Sequence, residues 1–556
     1  MYCIDTYANI EYSVAIMKPL RPLHLEIQTH RLNPVGILRS SFRQAGKVMH
    51  SNHGRLTGLD LEQLKLIQAA FAGQALPKGH PDALQILQSR EYGASRAVLQ
   101  LAKELELDRA LYSRPEPWVK DVLAMVAGRL IYQGSKLFLS HQGPNTTLWE
   151  QCGVQGPVNV QTHCYEPMDR LLQRQVGIQK TLARRHLQEG RLVLYDITSS
   201  YFEGQYEESE IVAFGYNRDG KRKHEQMVIG LICNQDGCPV GVEVFAGNTQ
   251  DASTVPAKIR EVQQRYGIKK LIFVGDRGMV TQANYEKVKD WEGLWTISAL
   301  THQQILDLLE RKLITPELFD ERKVVEVIDP DNPKLRYCLC RNPETKAREG
   351  ATRQRLLELT QSGLEKIARS KRKVDAAHLG ARVGKLLAKY KMGKFVTWQV
   401  KRRKLLWHVD QEQVKAEQIW DGCYVVRSDV PKAELAAAQT VAGYKKLALV
   451  EQAFRQLKTV QLEMRPVYHK LDRRIRSHVF LCMLAYYLQW HMKQRLAPLF
   501  AQDRTEKQRR WSFANVLERL KAIRQERAKL NGIEFDQVTV PQADQQRILQ
   551  LLKVKL

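Results

Sequence analysis

Apolar residues recur every three or four positions through much of the first 175 residues, and the pattern breaks at glycine and proline. RLTGLDLEQLKLIQAAFAG, ASRAVLQLAKELELDRALY and PWVKDVLAMVAGRLIYQGSKLFLSHQ all carry it. This period lines one helical face with apolar side chains, so residues 1–175 are expected to be mostly helical. RSSFRQAGKVMHSNHGRL breaks the pattern: it is basic, and reads as a loop that either contacts phosphates or is simply solvated. From residue 187 the chain changes to short apolar runs. LVLYDITSSYFEG (192–204) and LIFVGDRGM (271–279) each lead up to an aspartate, as expected of a buried strand with a carboxylate at its end. Between them come a polar loop, GYNRDGKRKHEQ, and two β-rich runs, MVIGLICN and GVEVFAG, joined at an Asp-Gly hairpin signal. A helix over VPAKIREVQQRYG comes next, with Asp251 or Ser253 as its N-cap. A further helix from about 281 and a strand, GLWTISAL, close the series.

An antiparallel opening followed by crossover units predicts an α/β fold, a mixed sheet flanked by helices. Its first part spans 176–300. Residues 301–435 interrupt it as an α+β insertion, with short strands around a long basic helical stretch, and DGCYVVRSD (421–429) leads back. The second part of the core, 436–480, contains a helix over YKKLALVEQAFRQLK (444–458), and residues 481–556 read as a helical C-terminal region. No internal repeat or low-complexity linker separates these parts.

The 556 residues include 86 Lys plus Arg against 60 Asp plus Glu, a net charge of +26, which points to a polyanionic partner. Hydrophobic residues at 44% and charged residues at 26% otherwise describe an ordinary soluble protein. No apolar run reaches the roughly 18–20 residues that cross a bilayer; VFLCMLAYYLQW (479–490) reads as a buried helix. No basic leader and apolar block open the chain, and its first sixteen residues fit poorly with the remainder of the chain, which makes Met17 a candidate start. Nine cysteines without framework spacing suit a reducing cytosol. Cys338 with Cys340, and Cys233 with Cys238, are the closest pairs; with no second pair or histidine cluster in sequence to complete a zinc site, all four read as core cysteines.

The candidate chemistry lies in Asp196, Asp276 and Glu451. Taken singly, each has an ordinary use: a turn or cap aspartate, an aspartate paired to Arg277, a charge on an amphipathic helix. Together, two aspartates at strand ends and a glutamate on a helix suit a site for hard divalent cations, because carboxylate oxygens are the ligands such ions take. Two ions about 3.5–4 Å apart activate a nucleophile and stabilise the leaving oxygen of a phosphodiester. Tyr444, Glu451 and Lys458 stand seven residues apart, which predicts one stripe of a helix.

These residues carry a resemblance. YDITSSYFEG, the 215–254 loop and hairpin, FVGDRGM, DGCYVVRSD, the 444–458 helix and RPVYHKLDRRIRSHVFLCMLAYYL (465–488) resemble bacterial insertion-sequence transposases of the DDE type. The resembling branch has a ribonuclease-H-like catalytic domain, a Y-x2-R-x3-E-x6-K helix and an insertion before the glutamate. By that resemblance Asp196, Asp276 and Glu451 match a catalytic triad binding Mg²⁺ or Mn²⁺, as two ions. Tyr444 and Lys458 match positions that contact the transposon end. Leu447 stands where the pattern has arginine, and Arg455, one turn beyond Glu451, is the candidate substitute. The resemblance implies binding of terminal inverted repeats through the N-terminal region, cleavage at the element ends, and joining of 3′-OH ends to target DNA. It further implies a homodimer on paired ends of double-stranded DNA, in a bacterial cytoplasm, associated with the nucleoid. The competing readings are a metal-dependent nuclease of the same fold without strand transfer, and a catalytically silent DNA-binding protein derived from a transposase.

Overall fold

LVLYDITSSY forms one ten-residue strand, β1 (Leu192–Tyr201), because β-branched, aromatic and small hydroxyl side chains fill a pleat that is covered on both faces. In the computed structural model, which describes residues 23–29, 34–44, 46–72, 84–221, 223–370, 375–401, 404–505, 510–530 and 533–556, this strand lies inside an eight-stranded sheet. The candidate start Met17 and the segment before it lie outside the described residues.

Along one edge, β1 pairs antiparallel with β2 (Gln226–Asn234), which pairs antiparallel with β3 (Pro239–Ala246). The β2–β3 turn carries Gly237 at φ 82°, a left-handed conformation that glycine adopts without cost, as its Asp-Gly signal predicts. Along the other edge, β1 pairs parallel with β4 (Leu271–Val274), and β4 pairs parallel with β5 (Leu294–Ala299). The full order is β3-β2-β1-β4-β5-β8-β7-β6, with β6 (Val325–Ile328), β7 (Arg336–Arg341) and β8 (Cys423–Ser428) added antiparallel. The first five strands have the ribonuclease-H-like arrangement, an antiparallel meander followed by parallel crossovers, with helices on both sides. Helix α1 (Pro117–Ile131) and helix α2 (Glu166–His186) pack with α7 (Asp472–Arg495), and α7 covers β3. The run Val479–Leu488 within α7 is buried throughout, as its apolar character predicts. No helix among the described residues is long and apolar enough to cross a membrane.

Several expectations need correction. The segment 301–435 is not wholly separate, since β6, β7 and β8 extend the central sheet. What does stand on its own small cores is the helix pair Pro343–Ala368 and Ala376–Tyr390 with the hairpin Val396–Lys401/Lys404–Val409. The helical reading of residues 1–175 fails over most of the described residues between 23 and 91. Leu23–Gln28, Val35–Gln44 and Lys47–Leu56 form an antiparallel sheet, followed by a helix, Leu61–Phe71, capped by Asp60. The basic segment is therefore a hairpin; its second strand is mostly exposed, so no apolar alternation marks it. These strands belong to one compact unit, residues 1–89 with 526–537, and the sheet described above to a second, residues 90–525 with 538–556. A hairpin, Arg524–Leu530 with Ile533–Val538, interrupts the expected C-terminal helices. Helix α3 (Asp251–Arg260) takes Gln250, not Asp251 or Ser253, as its N-cap, because the Asp251 carboxylate is drawn into an ion pair with Arg218.

The loop before β2 is held by a close approach of backbones. Ala213 and Gln226 exchange backbone hydrogen bonds of 3.0 Å, Gly247 N donates to Ile211 O at 3.0 Å, and Gln226 Nε2 donates to Gly247 O at 2.7 Å. A Cβ on Gly247 would sit 2.0 Å from Gln226 O and 2.3 Å from Ala213 O. Gly247→Ala is therefore expected to force these strands apart and lower stability by about 1–3 kcal/mol, read as a lower midpoint in denaturant unfolding.

Candidate active site

Asp196 is placed by register. It lies at the centre of β1 opposite Leu231 of β2, not at the strand end that the sequence suggested. Past Asp196 the protein satisfies two of the strand's three hydroxyls: Thr198 Oγ1 accepts from Lys458 Nζ at 3.1 Å, and Ser199 Oγ accepts from the Arg218 N–H at 3.0 Å. One Asp196 oxygen accepts from the Ile197 N–H at 2.8 Å. Burial pushes the Asp196 carboxyl up to about 7; that hydrogen bond and the nearby Arg218 charge oppose the rise, while the charges of Asp276 and Glu451 add to it. The fold therefore brings the three carboxylates into one electrostatic neighbourhood, although long stretches of chain separate them.

Asp276 follows β4 through Gly275, in a turn closed by Met279 N–H and Val280 N–H donating to Asp276 O at 2.9 and 3.2 Å. The far side of this turn is held by Arg427 of β8, which donates to Val280 O at 3.0 Å and to Gln282 Oε1 at 2.7 Å. Gln282 opens helix α4 (Gln282–Val288), whose Tyr285 ring lies 4.8 Å from the Arg427 guanidinium. Asp276 is half exposed, and its contact with Arg277 is a loose 4.0 Å, so that arginine does not occupy it. The Tyr444 hydroxyl donates to Asp276 Oδ1 at 3.3 Å. Burial, reinforced by the Asp276 charge, holds the Tyr444 phenol well above its ordinary range and so keeps it a donor.

The 444–458 segment is not one regular helix. Helix α5 (Ala437–Lys445) ends beside Lys446, α6 (Leu447–Arg455) comes next, and Gln456–Val460 widens into a π turn. The expected single stripe is broken accordingly. Val450, Ala453 and Phe454 are buried where α6 packs on β1, and Glu451 is exposed on its other side. Leu447 is 7% exposed, so the position where the resembling pattern has arginine is here part of the core. Arg455 is exposed.

Lys458 turns inward. Its ammonium donates to Thr198 Oγ1, to Ser199 O at 2.8 Å and to Asp219 Oδ1 at 2.9 Å, and burial pulls its pKa below the usual lysine value against the opposing pull of Asp219. Asp219 also accepts from Arg465 at 2.8 Å. Arg465 and Lys221 lie over the Tyr201 ring, 4.8 and 5.6 Å from its centroid. The sequence singles out none of Arg218, Asp219 and Arg427, and Asp251 only as a helix cap. Arg218 and Asp219 sit in the Asn-Arg-Asp-Gly turn of a loop that reads as merely polar, and only their tertiary partners distinguish them.

The donor set fits hard cations: three carboxylates, one of them half-buried and crowded by the other two, with the neighbouring Arg218 engaged by Asp251. In this structure the three do not all close to within 4.8 Å of one another. Lys458→Ala is expected to lower stability by about 1–3 kcal/mol, because it strips three hydrogen bonds from the β1–loop junction. The salt dependence of DNA binding should stay unchanged, measured as affinity against salt concentration, since this ammonium is occupied inside the protein.

A family model described as the transposase DDE domain matches residues 188–488, more than half of the chain. The match opens just before β1, closes within α7 and contains Asp196, Asp276 and Glu451. Comparison with curated proteins returns no match. The five-strand core and the extent of the match agree: this chain belongs to the transposase DDE domain family.

Proposed function

We propose that the chain is an active DNA transposase, which binds the terminal inverted repeats of its insertion sequence, cuts the element ends and joins them to target DNA. The observation that carries this reading is Asp196: a half-buried carboxyl in mid-strand, raised to about 7 by burial with the charges of Asp276 and Glu451 adding to the rise, in a protein of net charge +26. Like charges gathered at this cost suit a cation that relieves them. Asp196, Asp276 and Glu451 would hold Mg²⁺ or Mn²⁺ as a two-ion site. Bound there, the ions lower the pKa of the attacking oxygen and offset charge on the phosphate.

The rest of the work falls to the chain. Tyr444 and Arg427 orient Asp276 and its turn, while Lys458 fixes the Arg218–Asp219 loop beside Asp196. Arg277, Lys221 and Arg455 are exposed around this site and supply cations for the DNA backbone. In cleavage a water oxygen adds to phosphorus and the P–O3′ bond breaks; the phosphate keeps the water oxygen, and one water proton ends, through solvent, on the departing oxygen, freeing a 3′-OH. In joining, that 3′ oxygen attacks a target phosphorus and displaces the target 3′ oxygen, which takes up the proton, so one phosphodiester replaces another. Two copies on paired ends are the assembly this reading implies, with the N-terminal region as reader of the repeats.

The test is a cleavage and joining assay on labelled DNA from the element's own end, with Mg²⁺ and then with EDTA. Metal-dependent nicking at the boundary plus joined product is expected. Asp196→Ala, Asp276→Ala and Glu451→Ala should each remove both reactions while keeping DNA binding. Nicking without joining would mean a nuclease, and binding without either reaction a silent relic. Tyr444→Phe, which deletes the hydroxyl that orients Asp276, should slow cleavage about 10–100-fold in the same assay.

A further inference from the structure

Away from the carboxylates, three elements bring together side chains of different chemistry. His186 ends α2, Cys238 lies just before β3 at the β2–β3 turn, and His491 lies near the end of α7. Among the described residues these form the one group of three or more His, Cys, Asp or Glu side chains whose ligand atoms all lie within 4.8 Å of one another. The Cys238 side chain is fully buried, at 0% exposure. His491 Nε2 is buried and makes no hydrogen bond among the described residues, a cost of about 1–3 kcal/mol that calls for a partner. The surroundings fix the rings. The Tyr487 hydroxyl is 2.9 Å from His186 Nε2, the two imidazole centroids are 5.3 Å apart, and the Tyr487 and Trp490 rings pack edge-on against His491 at 4.6 and 4.9 Å.

We infer that His186, Cys238 and His491 form a zinc site that staples α2 and α7 to the β2–β3 turn. Two imidazoles and a thiolate are borderline and soft donors that select Zn²⁺ over the Mg²⁺ or Mn²⁺ suited to carboxylates. With bonds of about 2.0–2.3 Å, a tetrahedral ion needs donor separations of roughly 3.3–3.8 Å, so side-chain movements of about an ångström complete three ligands and leave the fourth to water. Tyr487 acts as the outer partner that sets the His186 ring. Binding displaces the Cys238 thiol proton to solvent. The site adds a cross-link between elements distant in sequence and so stabilises the folded chain. His186 and His491 lie just outside the matched 188–488 region, and the inference is independent of the proposed catalysis.

The test uses the full chain, stripped of metal with a chelator and reloaded with Zn²⁺ or Co²⁺ alone. One equivalent per chain is expected by elemental analysis, with a thiolate-to-Co²⁺ charge-transfer band that excess Mg²⁺ does not displace. Zn²⁺ should raise the melting temperature of the stripped protein. Cys238→Ser should abolish the band, and His491→Gln should lower Zn²⁺ content from one equivalent to near zero, whereas Asp196→Ala should retain the full equivalent. Absence of the band in the unaltered protein would overturn the inference without reference to any variant. So would full zinc retention by folded Cys238→Ser, or loss of zinc in Asp196→Ala.

Discussion

A carboxylate in the middle of a strand covered on both faces is the constraint around which this structure is arranged. Asp196 cannot be solvated freely where β1 holds it, and Asp276 and Glu451 make ionisation costlier still. At a strand end it would be more freely solvated and less crowded by the other two carboxylates. Neighbouring elements supply what tolerance there is: the Ile197 N–H, the positive field of Arg218, and an open side where Asp276 and Glu451 reach solvent.

The second half of β1 depends on a cation of the protein's own. Thr198 and Ser199 would weaken a buried strand if left unpaired. Lys458 meets Thr198, the Ser199 carbonyl and Asp219 together, and Arg465 completes the ion pairing of Asp219. The π turn at Gln456–Val460 carries Lys458 at the point where the helix leaves its regular path. The loop that seats Arg218 near Asp196 is held by the same ammonium. The lysine at this helix position thus holds β1 and the loop together from within.

Around the five-strand core, the chain adds material of two kinds. Strands β6, β7 and β8 lengthen the sheet and bring Arg427 against the Asp276 turn, so that part of the interrupting segment helps to shape the site. The helix pair and hairpin between β7 and β8 keep small cores of their own. Family membership rests on the core and on the match over 188–488, and neither depends on these additions.

The strongly apolar runs could be read in advance because burial on both faces demands them. β1, β2, β4, β5 and α7 are visible for that reason, the Asp-Gly turn by its glycine, and the three carboxylates as candidates by residue type alone. The hairpin at 35–56 was hidden, because an exposed strand has no apolar alternation to show. Local spacing put Tyr444, Glu451 and Lys458 on one stripe; packing broke the helix near Lys446, widened it at Gln456 and turned Lys458 inward, where a buried polar cluster outweighed regular geometry. Likewise no spacing rule could join His186, Cys238 and His491, or Arg427 and Val280, since each pairing exists only once distant elements meet. Composition and periodicity thus specified which segments must be buried and which residue types could act. Which side chains face one another was settled by packing, because contact between distant segments depends on the whole set of neighbours and not on local preference.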